Sequence, residues 1–375
     1  MTKTLTTNQA SLILSLFTVA LKLSALPALM FAYSGNDCYI ACLIALVFDF
    51  LGSLIIIHIM HKHPDSTFFN ILKETLGKVM AIIIQITLFI YFFLKCVIVL
   101  QELHDYFIAT LFEELDPVLF IAILGLLLLY STTKNLKTIG RVVQLIFWPT
   151  VIGIGFTLIF PINDMQLDKL FPIFEQGFYP IFKTISRTSF AFGDYMILLP
   201  LMGKISYGKK SKKQILLYLV NTLGFVFNFY VIFVGSFGKF SSSQTLALGE
   251  LPLHNTTPAT IGKLEWLTIV VWTVILLINA IIIANACRVS FDNIFNVSDK
   301  KIGSIVISAL LVIVLSISYL QLEKLLEFFS SPLFASIAGA IQVGFVLLLV
   351  VASLIKSKRN KKANSTIQDR RAKVC

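Results

Sequence analysis

Four ionisable residues, Lys22, Asp49, Lys95 and Asp194, lie inside otherwise apolar stretches of the chain. A charge in hydrocarbon is costly unless partnered, so such positions mark ligand sites, ion pairs or proton relays. The richest stretch is Ser186–Pro200, which carries Arg187, Gly193, Asp194 and Pro200 in one apolar run. Asp194 fits three roles: an ion-pair partner between helices, a proton carrier, or a ligand contact. Lys22 is the cation at matching depth. It lies about 14 residues into its own run, ~20 Å along a helix, which is far for a lysine to reach the surface. Lys22 is therefore expected to face a cavity; the alternative is a kink at Pro27 with a snorkelling lysine. Asp49 and Lys95 are expected to pair with each other. Together with Gln85, Tyr91, Gln101, Asn279 and Asn285 they are assigned to helix packing rather than ligand contact. Lys183 and Arg187, four apart on one helix face, suit a gate for an anionic ligand or pairs with acids of the outer loops.

Enzyme chemistry finds little support. His58, His61 and His63 cluster at one end of a span without a carboxylate or cysteine at metal-ligand spacing. Cys38 and Cys42 share a helix face, but no second pair completes a metal site. Ala191-Phe192-Gly193-Asp194 approaches the Gly-x-Gly-Asp of intramembrane aspartyl proteases, but alanine replaces the first glycine, and Asp49 follows Phe48 instead of a tyrosine. There is no P-loop, Rossmann glycine pattern or nucleophile elbow. The expectation is a non-enzyme with no catalytic residue, no metal and no cofactor.

The elements that must position these residues are membrane helices. Of the 375 residues 57% are hydrophobic and only 14% charged, and the mean hydropathy is +0.86. Soluble domains carry about 25% charged residues, so this is an integral membrane protein. The net charge of +11 reads as a cytoplasmic basic face and not as nucleic-acid binding. About 20 apolar residues cross a bilayer. Ten such segments are predicted, near 9–33, 38–60, 79–101, 117–132, 141–161, 178–203, 214–236, 262–287, 302–321 and 332–355; the fourth is the shortest. The first is read as a span and not a cleaved signal.

Alternating the loops places 23 of the 31 Lys and Arg residues on the side of the termini and only four on the other, with four more inside spans. Acids such as Glu102, Asp105, Glu113, Glu114 and Asp116 lean the opposite way. The positive-inside rule therefore predicts cytoplasmic N- and C-termini. Residues 1–355 form one transmembrane domain, and the basic tail 356–375 is expected to be disordered at the membrane surface. The loop 237–262 suits either a lid over an outward cavity or a simple connection.

Two spans are expected to break: the first at Lys22–Pro27 and the sixth at Gly193-Asp194. They lie five spans apart, as do the broken helices of transporters built from two inverted five-helix repeats, here about 9–161 and 178–355. The free N–H groups of a half-helix start favour a carboxylate.

Over almost its whole length the chain resembles the B subunits of bacterial spore nutrient-germinant receptors (GerAB type), within the amino acid–polyamine–organocation transporter superfamily. The resemblance rests on Gly140-Arg141, Leu170-Phe171-Pro172-Ile173 with Gly177 and Pro180, Ser189-Phe190-Ala191-Phe192-Gly193-Asp194 with Pro200, and Gly262-Lys263-Leu264-Glu265-Trp266-Leu267 running to Trp272. It implies an all-α, ten-helix, LeuT-like fold in the inner spore membrane, partnered by A and C subunits. It implies a small germinant, often an amino acid, bound between helices 1 and 6 at Lys22, Leu23, Ser24, Ala25, Ser189, Phe190, Phe192, Gly193 and Asp194. A proton-coupled amino-acid permease using the same site is the alternative. Two departures stand out: Lys22-Leu23-Ser24-Ala25 replaces glycines expected at the first break, and Asp194 stands where the family usually has Glu. The added cation suits a carboxylate ligand, or is neutralised by Asp194 and leaves a mainly apolar pocket.

Overall fold

The computed structural model describes residues 5–110, 116–254, 264–297, 299–320, 328 and 331–372. Side chains at 160, 163–164, 252–254, 264–265, 318–320 and 359–372 lie outside that description.

A short strand β1 (Leu5–Thr6) leads into α1 (Thr7–Ala20), and α2 (Leu26–Ser34) follows after a gap. Next come α3 (Cys38–Lys62), α4 (Phe68–Leu76), α5 (Lys78–Thr110), α6 (Pro117–Thr133) and α7 (Leu136–Asp164). The interrupted segment α8 (Phe178–Thr188) and α9 (Leu198–Leu201) precedes strand β2 (Ile205–Ser206). The chain then forms α10 (Ser211–Phe237), α11 (Ala247–His254), α12 (Leu264–Phe295), α13 (Lys300–Leu320) and α14 (Pro332–Ala372).

Among the described residues seven helical stretches are long and apolar enough to cross a membrane: Leu26–Lys62, Lys78–Thr110, Leu136–Ile159, Ser211–Ser243, Trp266–Phe295, Lys300–Ile317 and Pro332–Lys358. The 17-residue α6 is apolar but shorter. The chain is a multi-pass membrane protein. Its outer faces carry large apolar side chains such as Phe48, Leu145, Phe182 and Leu347, the surface lipid demands and water would penalise. The helix α14 continues through Ala372, into the stretch whose composition offers no apolar face; Lys, Arg, Gln and Ala there are good helix formers.

Both interruptions are buried, at residues 21–24 in the first segment and 191–194 in the second. α1 packs against α7, α10 and α12, while α3 contacts α8, α10 and α14. The longest packed pair is α5 with α12. The interrupted segments are also joined at one end, because Leu5 pairs with Ile205 in a parallel two-residue ladder and the Leu5 N–H donates to Lys204 O at 3.1 Å. Thr7 Oγ1 donates to Ser206 O at 2.9 Å and lies 2.8 Å from Ser211 Oγ. Thr6 closes a capping box with Gln9, which fixes the direction in which α1 leaves this clasp.

Beside the clasp, burial and the nearby Arg288 and Lys300 push the Lys204 ammonium down to about 8, with Asp292 opposing them. An unfolded lysine keeps its proton to 10.5. Between those two values the unfolded chain binds more protons, so stability rises with pH through that window and carries the full penalty below it. The unfolding midpoint of the purified protein is expected to be higher near pH 9.5 than near pH 7, and Lys204→Met to flatten the rise. A midpoint that rises equally in the variant contradicts the assignment to Lys204.

Candidate functional site

The first break follows from Pro27, which sits in the first turn of α2. Proline cannot donate to the carbonyl four residues back, so Leu23 O is freed and helix cannot run continuously through 21–25. A bare carbonyl in the membrane interior must find another donor. Leu248 N–H supplies it at 3.1 Å, and Ala247 N–H donates to Ser24 O at 3.3 Å. Both donors belong to the start of α11, whose first N–H groups have no partner within their own helix. The break and the loop helix complete each other.

The second break centres on Gly193, with φ +76° and ψ 33°. That left-handed conformation costs an L side chain about 1–2 kcal/mol and is routine for glycine. The freed backbone groups here are satisfied by side chains from three other helices. Gly193 N–H donates to Asp49 Oδ1 at 2.6 Å. Phe192 O accepts from Lys95 Nζ at 3.0 Å and from Gln342 Nε2 at 3.0 Å. Gln342 Nε2 also donates to Ser189 O at 2.9 Å and lies 3.2 Å from Tyr91 Oη.

The breaks are tied together by four charges that sum to zero. Lys22 Nζ forms a direct ion pair with Asp194 Oδ2 and lies 3.5 Å from Asp49 Oδ2. Lys95 Nζ lies 3.6 Å from Asp194 Oδ1. All four side chains are essentially inaccessible, Lys22 completely so. Lys22 also donates to Thr18 O at 3.3 Å, the carbonyl one turn back in α1. Aromatic faces cover the cations: Lys22 Nζ stands 4.9 Å from the Phe192 ring centroid and Lys95 Nζ 5.0 Å from that of Phe17, a favourable use of ring quadrupoles in a dry site. Buried charges persist only when paired and hydrogen-bonded. Each of the four has an ionic partner and at least one hydrogen bond, while Asp49 Oδ2 has the Lys22 ion pair but no hydrogen bond.

Next to the cluster, on the side of α11, is a cavity of about 630 Å³. Pockets of roughly 300–1,000 Å³ hold small organic ligands. Its wall is largely apolar, with Leu21, Leu26, Leu29, Ile98 and Phe190; Ser24, Gln101, Glu102, Asp105, Ser242 and Thr245 supply the polar groups.

The expected site residues divide into two groups. Ser24, Ala25 and Phe190 line the cavity. Leu23 acts through its backbone carbonyl, Ser189 Oγ bonds Ala335 O, and Phe192 and Gly193 act through their peptide groups. Lys22 and Asp194 meet as a pair, but Lys22 faces the two aspartates and not the cavity, because those carboxylates compensate its charge. Asp49 and Lys95 each bind into this cluster, Asp49 to Lys22 and Lys95 to Asp194, instead of forming the direct pair expected between them. Lys183 is exposed, with its ammonium 6.0 Å from the Tyr33 ring, and neither it nor Arg187 lines the cavity. Ser242, Thr245 and Leu246 of the long loop form part of its wall; residues 255–263 lie outside the described residues.

Three participants were missed from the sequence. Gln342 was one polar side chain in the apolar run of α14, with no spacing to single it out. Glu102 and Asp105 fell just past the predicted end of the third span, whereas α5 continues to Thr110. A helical projection of Ile98, Gln101, Glu102 and Asp105 beyond the hydropathy edge would have put all four near one face.

The model of a family described as "Spore germination protein" matches residues 4–323. The chain is also similar to "Spore germination protein YndE" of Bacillus subtilis (strain 168), 26% identical over 236 residues, which cover 62% of this chain and 63% of that protein. The match thus spans less than two thirds of that relative's length. With most of the chain, including both helix breaks and the four-charge cluster, inside the matched region, this protein belongs to the spore germination protein family.

Proposed function

We propose that this chain is the ligand-recognising membrane subunit of a spore germinant receptor. A small nutrient, an amino acid or a close chemical relative, binds in the cavity beside the two helix breaks. Occupancy shifts a conformational equilibrium that A and C partner subunits read, in the inner spore membrane. In this reading the fold is the ten-helix, LeuT-like arrangement of two inverted five-helix repeats, with both termini cytoplasmic. The ten segments expected from hydropathy are each helical over most of their length, and the two broken ones stand five apart, which supports that architecture.

The observation that carries the proposal is the juxtaposition of a ligand-sized cavity with two backbone breaks held by a neutral charge cluster. A ligand can shift an equilibrium only by binding two states differently. Breaks cross-linked by ion pairs provide discrete arrangements for it to choose between.

The test is a nutrient screen of spores lacking the gene. The expected result is loss of germination toward one nutrient or nutrient mixture, restored by the wild-type gene. A deletion strain that responds normally to every nutrient sinks the proposal. Uptake of that nutrient by the reconstituted protein, abolished by Asp194→Asn, would favour the permease alternative, with Asp194 carrying a proton.

A further inference from the structure

The charge pattern of the cavity points to the chemistry of its ligand, and this inference rests on reading the cavity as the nutrient site. Lys22 and Lys95 are bound to Asp194 and Asp49, and among the described residues the cavity wall includes no Lys, Arg or His. The wall does include two carboxylates, Glu102 and Asp105. Asp105 is half exposed and takes hydrogen bonds from Gln101 Nε2 at 3.0 Å and His104 Nδ1 at 3.3 Å. Glu102 differs. Its Oε1 is buried with no hydrogen-bond partner among the described residues, and the Ser24 hydroxyl, the neighbouring polar group on the wall, faces the same carboxylate. No ion pair to Glu102 exists among the described residues.

Two physical consequences follow. An unpartnered buried carboxylate oxygen is unfavourable, and a donor cation placed against it removes that cost. The amide of Ala25, at the start of α2, already faces the Glu102 carboxylate. The half-helix N-terminus that suits a ligand carboxylate is therefore answered by one belonging to the protein. A ligand carboxylate placed there would meet Glu102 as a like charge.

We propose that the cavity recognises its ligand by a protonated amine, with Glu102 as the ammonium-binding residue, Ser24 as a second contact, and the apolar wall receiving the rest of the molecule. A free carboxylate on the ligand is dispensable. Natural α-amino acids satisfy this through their ammonium group, and so do amines and amino-acid amides.

The test uses the purified full-length protein in lipid nanodiscs with three probe sets. These are L-amino-acid amides with apolar and basic side chains, the matching free amino acids, and their N-acetyl derivatives. Binding is read by calorimetry and thermal shift. At least one amide is expected to bind as tightly as its free amino acid or more tightly, and no N-acetyl compound is expected to bind. Glu102→Gln should weaken that binding by about tenfold or more while leaving the ligand-free unfolding midpoint within about a degree of wild type. Binding of N-acetyl compounds in preference to amides, binding that ignores Glu102→Gln, or no binding by any ammonium compound overturns the proposal. Spores separate this from the receptor reading. Ala32→Trp fills the cavity from its exposed side; if it abolishes the nutrient response while Glu102→Gln leaves it intact, the cavity is the site and the ammonium inference is wrong. If neither variant alters the response, both readings fall together.

Discussion

Asp194→Leu is expected to cost about 3–5 kcal/mol, the range seen when one partner of a buried ion pair is removed. The carboxylate is the direct partner of Lys22 and lies 3.6 Å from Lys95 Nζ. Without it the cluster holds two ammonium groups against Asp49 alone, in a region water does not reach. The protein should be poorly abundant in the membrane, with a much lower unfolding midpoint in detergent. The double variant Lys22→Met with Asp194→Leu leaves Lys95 and Asp49, a neutral remainder, and should recover most of the loss. Replacing a buried pair by apolar residues of similar volume is often neutral or stabilising. A double variant as unstable as the single one would show that the pairing is not what Asp194 contributes. Folded but unresponsive double-variant spores would assign the pair to switching.

The second large effect is expected at Gly193. Its φ of +76° is strained for any other residue, and a Cβ built there runs into the Gln342 side chain. Backbone strain of about 1–2 kcal/mol adds to about 1–3 kcal/mol for overpacking a filled site. Displacing Gln342 also removes donors from Phe192 O and Ser189 O. Gly193→Ala should therefore destabilise the protein by several kcal/mol, measured as a fall in unfolding midpoint. Gly224→Ala, at a site with open space around the built Cβ, should be near neutral and serves as the control. Comparable losses in both variants would contradict this account of the break.

Much of this architecture was visible in residue types. Prolines and glycines in apolar runs announced both breaks, and depth alone matched Lys22 to Asp194, because a lone intramembrane charge has few places to go. The short fourth segment was also legible, and α6 is indeed short of the span length that its neighbours reach. What could not be read was who answers the freed backbone. Asp49 accepting from Gly193, Lys95 and Gln342 donating to Phe192, and α11 capping Leu23 are contacts between residues far apart in sequence. Each one is created by packing, and hydropathy carries no record of it. The same blindness hid Glu102, since its helix continues to Thr110, about two and a half turns past its apolar run. Lys22 does not line the cavity for a related reason: depth predicts that a charge needs a partner, but not that two aspartates will both come.

The central claim is that nutrient occupies the cavity beside the breaks, and labelling at Thr245 tests it most directly. Thr245 is exposed and forms part of the cavity wall, while Cys38, Cys42, Cys96 and Cys287 are buried. A Thr245→Cys variant, compared with its parent by intact mass after treatment with a bulky maleimide, reports access to the cavity. With the nutrient whose response the deletion strain loses, the account predicts protection that rises with concentration and reaches half its maximum where germination does. Labelling that proceeds unchanged at saturating nutrient would contradict it.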